Sequence, residues 1–391
     1  MLSPSRNRKQ SRLASPSKLI QLAEASFKRL TLAISAVGLS TLCIHASTLP
    51  AVAAAWTHSP VLQGTADILP ATQEADRADQ LADVGVRAFT NGDQATAFEH
   101  WQEARLLYRV AGEQVKEARM LENLSVVYRL TGRPAEAINM SQQALNIYED
   151  LGITDEQPSA FLNLGSAYRL SGDVSEAIAT YETSLSLYQQ AADATGERIL
   201  LSLLADTYTE AGDYTQSILF QTRVLEIAQR TGKTKIEAES LSELGYAHFV
   251  LENYDESVAY FQSALNLFQQ LGDRAQEVAV LNNLGRAAAF GQNIETALEA
   301  YEQALAIFRE LERPVQEAHL LVNIGQAHLS AGQTQQAIDT FRQVVTLSEN
   351  IRRQQPNQPL APRFEATYRE LAILLEQAEK PEDAQQILEL I

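Results

Sequence analysis

Apolar residues recur along this chain at helical spacing, and the whole pattern recurs every 40 residues. Around Gly165, the side chains of Ala160, Phe161, Leu164, Ala167 and Tyr168 share one face of a helical period, which predicts an amphipathic helix. Gly172-Asp173 then interrupts the helix: glycine accepts the left-handed backbone that ends one helix, and aspartate suits the start of the next. Ala177, Ile178, Tyr181, Ser184, Leu185 and Tyr188 draw a second apolar stripe. The segment is therefore a predicted helical hairpin. Its inner turn reappears at Gly92-Asp93, Gly132, Gly212-Asp213 and Gly332, and an outer turn between hairpins at Gly112, Gly152, Gly232 and Gly272.

One apolar-small pair fixes the register: Val84-Gly85, Leu124-Ser125, Leu164-Gly165, Leu204-Ala205, Leu244-Gly245, Leu284-Gly285 and Ile324-Gly325, seven units without an insertion. An eighth pair, Leu371-Ala372, follows a spacer lengthened by seven residues. A fixed period of this size marks stacked units, none of which buries its apolar face alone. The expected organisation is a repeat array over residues 78–391. Residues 56–77, with Pro60, Gly64 and Pro70 and no periodicity, read as a linker. The run Gln354 to Pro359 breaks the array before its last unit, which is expected to act as a cap although it ends in apolar Leu388, Leu390 and Ile391.

The spacing of small residues resembles the tetratricopeptide repeat. Gly165 is followed by Ala177 and Ser184, Gly285 by Ala297 and Ala304, Ser125 by Ala137 and Ala144, and Gly85 by Ala97 and Ala104. Tyr128, Tyr168 and Tyr208 match the family's aromatic on the first helix, and Phe98, Tyr181, Phe220, Phe261, Tyr301 and Phe341 the bulky residue on the second. The family norm is shorter, and the 40-residue unit is similar to the long-repeat subclass of kinesin light chains, Pins-type adaptors and cyanobacterial repeat proteins. The resemblance implies an all-α fold, a right-handed α-solenoid of about eight helical hairpins. It also implies a non-enzymatic scaffold that captures peptide or helical segments of protein partners on its concave face. A regulatory variant, in which capture acts on a separate effector such as a protease, is the alternative.

Charge narrows the partners. Residues 1–55 hold seven bases and one acid, whereas the remainder holds 24 bases against 48 acids. So acidic an array repels phosphate backbones, which argues against nucleic acid. The basic start leads into an uncharged run from Leu30 to Ile44 and then the small residues Ala51 to Ala55, the layout of a secretory signal. Residues 1–55 are accordingly expected to be a signal peptide, or else an uncleaved membrane anchor that tethers the chain. The expected location is exported: periplasm, thylakoid lumen or extracellular space. The single cysteine, Cys43, lies inside the apolar run, so the array has no thiol chemistry of its own.

In the resembled family the first helix of each unit lines the concave groove. The residue before the apolar-small pair would then face the groove: Asn123, Asn163, Asn283 and Asn323, with Asp83, Leu203 and Glu243 in the other units. A carboxamide both donates and accepts, so a row of them can hold an extended peptide backbone; alternatively it is merely a solvated row. Arg129 and Arg169, four residues after the small residue, and Arg286, one after, are candidate carboxylate clamps or partners of neighbouring acids. Tyr246 and Phe249 are candidate apolar anchors, or packing residues against the next helix. His248 and His328 occupy the slot of the first-helix tyrosine, and His100 and His319 stand alone, so no metal or other cofactor is expected. Nucleophile-elbow, zinc-protease and phosphate-loop motifs are missing from the sequence, which points away from an enzyme.

Overall fold

A computed structural model describes residues 71–354 and 361–390, and every described element is an α-helix or a turn. In chain order these are α1 (Ala71–Thr90), α2 (Gln94–Ala111), α3 (Gln114–Leu130), α4 (Pro134–Asp150), α5 (Gln157–Ser171), α6 (Val174–Gln190), α7 (Ala194–Glu210) and α8 (Tyr214–Arg230). They continue with α9 (Thr234–Val250), α10 (Tyr254–Leu271), α11 (Arg274–Phe290), α12 (Ile294–Glu310), α13 (Pro314–Ser330), α14 (Thr334–Gln354), α15 (Pro362–Gln377) and α16 (Pro381–Leu388). The helices fall into two compact units divided between Thr207 and Tyr208. Within each unit consecutive helices pack as hairpins, and each hairpin packs on the next. The first helix begins at Ala71, inside the stretch read as linker, because Ala78 and Ala82 are wholly buried against the next helix and extend its apolar stripe. The expected signal segment, the rest of that linker and residues 355–360 lie outside the described residues.

Turn chemistry sets the helix ends. Asp93, Asp213 and Asp273 each accept a bond from a first-turn amide, at 3.1, 3.1 and 3.2 Å, satisfying a donor the helix leaves unpaired. Gly172 ends α5 at φ 88°, in the left-handed region glycine enters freely. In the turn after α11 the glycine is displaced: Gly291 has φ −74°, and Gln292 takes the left-handed position at φ 62°.

The small residue of the first helix exists to admit an aromatic ring from the second. A Cβ on Gly165 would come within 2.7 Å of the Tyr181 ring, and one on Gly245 within 2.9 Å of Phe261. Gly85, Gly285 and Gly325 face Trp101, Tyr301 and Phe341 in the same way. These aromatics all sit sixteen residues after their glycine, so the bulky residue of the first hairpin is Trp101, not Phe98. Phe98 instead meets Tyr128 edge-on at 5.2 Å, and Phe220, also outside the register, stacks on Tyr208 at 5.4 Å. Where the first helix carries serine the opposite residue is small too: Ser125 meets Ser141 at 2.7 Å. Glycine and ring fill one volume together, so neither changes alone at low cost.

Candidate functional site

The row of groove asparagines divides between the two units. In the first unit α3 and α5 pack directly on each other, and the row disappears into that seam. Asn163 is 1% exposed and donates from Nδ2 to Glu122 Oε1 at 3.4 Å, while its Oδ1 has no partner. Asn123 is buried as well. The expectation of a solvent-facing amide therefore does not hold at these two positions, because the first-helix faces that would line a groove are spent on each other. Arg129 and Arg169 are half-buried and already engaged with other groups.

Glu122 is the centre of that seam. It is 1% exposed and accepts from Tyr148 OH at 3.0 Å and Ser159 Oγ at 2.9 Å as well as from Asn163. Burial raises its pKa to about 7, against the opposing pull of these donors; the nearby Glu156 raises it further. Arg119, on the same helix, spends its charge on Glu156 rather than on Glu122. Sequence reasoning missed this group, although an acid amid the apolar stripe of α3 (Leu121-Glu122-Asn123-Leu124) was visible in the sequence.

In the second unit the first helices α9, α11 and α13 touch one another only sparsely, and the corresponding face stays open. Here four of the nominated residues come together. Tyr246 and Phe249 from α9, with Asn283 and Arg286 from α11, line a narrow crevice floored by Phe261. Tyr246 is 38% exposed, and Asn283 and Arg286 are partly exposed. The Arg286 guanidinium lies over the Phe249 ring at 5.0 Å, a cation–π contact. Phe249 also packs edge-on against Phe290 of α11 at 5.4 Å, so it is both wall and inter-hairpin packing. Tyr246 meets Tyr214 at 6.3 Å. Asn323 lies further along, donating to Asn282 Oδ1 at 3.1 Å and accepting from Arg363.

A larger depression of about 290 Å³, bordered by Glu317, Leu321, Arg342 and Leu347, lies elsewhere in this unit. Its charges are already neutralised, Arg342 by Asp383 and Glu317 by Arg309, both at 2.7 Å. The open first-helix face is the better candidate. Among the described residues no group of His, Cys, Asp or Glu side chains is arranged to hold a metal ion. Nor is any described helix long and apolar enough to cross a membrane.

The tetratricopeptide repeat family model matches residues 86–150, 156–230, 237–310 and 292–350. No curated protein matches the chain. Among solved structures, a signal transduction ATPase with a tetratricopeptide repeat sensor from Pyrococcus horikoshii superposes with TM-score 0.61 at 15% identity, over 75% of this chain and 45% of that one. The chain thus spans less than half the length of that protein. The apo form of RapI matches with TM-score 0.50 at 14% identity, covering 71% of this chain and 99% of its own. The apo form of the quorum sensor NprR from B. thuringiensis matches with TM-score 0.50 at 13% identity, over 96% of each chain. At these identities the likeness is one of fold.

Proposed function

The chain belongs to the tetratricopeptide repeat family, whose arrays are scaffolds for protein–protein interaction, and on that footing we propose that its second unit captures an extended protein segment on the first-helix face. The observation that carries this reading is that Tyr246, Phe249, Asn283 and Arg286 cluster on one face and each keeps part of its surface exposed. A phenol and a phenyl ring supply apolar contact, Asn283 supplies a donor and an acceptor for a backbone, and Arg286 supplies charge. Affinity would come from a few such anchors at the centre of a long contact.

Photo-crosslinkers placed at Tyr246 and Asn283 of the full chain, followed by mass spectrometry, would identify the occupant. Binding of that purified occupant should weaken on Asn283→Ala and Tyr246→Ala and hold on Glu176→Ala, a surface change in the first unit. Equal binding by all three variants would refute the reading. The basic, apolar and small-residue order of residues 1–55 supports capture outside the cytosol, after export. N-terminal sequencing of the protein from fractionated cells tests this: a cytosolic chain that retains residues 1–29 is incompatible with it.

A further inference from the structure

Three helices of the first unit meet at one carboxyl. Glu122 of α3 is bonded to Tyr148 of α4 and to Ser159 and Asn163 of α5, and at 1% exposure it is shut off from solvent. Among the described residues, α3 and α5 pack on each other more closely than any other pair of first helices, and Glu122 bridges that seam.

The donors around it are too few to hold a charge. Ser159 Oγ has one hydrogen and two acceptors within reach, Glu122 Oε1 and the Glu156 carbonyl, both at 2.9 Å. The Asn163 amide reaches Oε1 at 3.4 Å, while its own Oδ1 is buried without a partner. Tyr148 OH gives Oε2 an undivided bond at 3.0 Å. No cation makes up the deficit: Arg119 is turned to Glu156 at 2.5 Å, and the arginines that α2 brings to α3, Arg105 and Arg109, act on Glu117 instead. A carboxylate so enclosed, without a counter-charge, is costly, whereas the neutral acid is not. The lift of this group to about 7, caused first by burial and opposed by its bonds, agrees with that geometry.

The titratable or charged groups bearing on Glu122 are Tyr148 from α4, Glu156 at the head of α5 and Arg119 on α3 itself. Burial, and after it the Glu122 charge, hold the Tyr148 phenol above its ordinary value, so it remains a donor through the neutral range. Arg119 keeps its charge and its bond to Glu156. We propose that the α3–α5 seam is a proton-operated latch, closed while Glu122 is protonated and opening locally when Glu122 ionises and water must reach it. Opening would uncover Asn123 and Asn163, which hold the repeat position of Asn283, so the first unit would present its amides on the alkaline side of the transition. That consequence rests on the capture reading; the latch itself does not.

Hydrogen exchange of the full chain, read by mass spectrometry, reports opening as lost amide protection in α3 and α5, beyond the ordinary acceleration of exchange by base. For a carboxyl at about 7 in the closed seam and an ordinary 4.5 once released, the opening constant should rise roughly 25-fold from pH 5.5 to pH 8. Glu122→Gln should hold protection constant over this range. Tyr148→Phe, which keeps the ring and removes a donor to the charged form, should carry the end of the rise to higher pH, and it decides the question if the glutamine variant does not fold. Protection that does not change with pH overturns the latch, as does a change that persists in Glu122→Gln. A loss shared equally by α1 through α6 also overturns it, because the unit then unfolds as a whole and no seam opens by itself.

Discussion

Replacing Glu122 with glutamine should stabilise the first unit near neutral pH and remove a pH dependence that the native chain carries. Burial lifts the carboxyl from an ordinary 4.5 to about 7, so the folded state holds a proton that the unfolded state has released between these two values. The sign follows: stability is greatest below the unfolded pKa, falls as pH rises toward 7, and is flat beyond it. At about 1.4 kcal/mol per pH unit, a span of roughly 2.5 units amounts to about 3 kcal/mol lost between acid and neutral conditions. Glutamine keeps the shape and the acceptor for Ser159, and its amide faces the Tyr148 hydroxyl, which can accept as well as donate. The assay is urea unfolding followed by fluorescence of Trp101, buried in this unit, with Trp56 changed to phenylalanine. Measured from pH 5 to pH 8, the native-minus-variant difference should change by about 2 to 3 kcal/mol, with the native chain weaker at high pH. A difference that stays constant across this range would refute the account of Glu122 as a carboxyl whose burial outweighs its hydrogen bonds.

Three further outcomes follow from the packing. Gly165→Ala and Gly245→Ala should each cost about 1–3 kcal/mol of chemical stability, since the added methyl meets the Tyr181 or Phe261 ring below 3.0 Å and overpacking outweighs alanine's better helix propensity. Gln292→Gly should raise stability by up to about 1 kcal/mol, because Gln292 holds a left-handed backbone at φ 62° beside a glycine that does not; an unchanged or lower thermal midpoint would count against that strain. Asn163→Ala should lower stability by about 1–2 kcal/mol, as it strips a donor from buried Glu122, whereas Asn283→Ala should stay within about 0.5 kcal/mol; equal losses would mean that both amides are structural.

The hairpins were legible in the sequence because their cause is local. Apolar spacing dictates which face each helix buries, and the turns at Gly172-Asp173 and its counterparts require backbone or capping chemistry that few residues supply. The family and the all-helical fold follow from that repetition alone. Even the pairing of Gly165 with Tyr181 and of Ser125 with Ser141 is written in the register, since both members lie in one unit at a fixed separation. The fate of the asparagine row was not legible. Asn163 and Asn283 occupy the same repeat position and are followed by the same two residues, Leu and Gly, yet one is sealed against Glu122 and the other stays partly exposed beside Arg286. How closely one hairpin approaches the next decides this, and that distance depends on what every layer between them must bury. The bridge from Asn282 through Asn323 to Arg363 is non-local in the same way: it joins side chains from α11, α13 and α15, the last of which follows the irregular spacer. Local physics therefore determined the repeating unit, while the stacking of units decided which side chains remain free to meet another molecule.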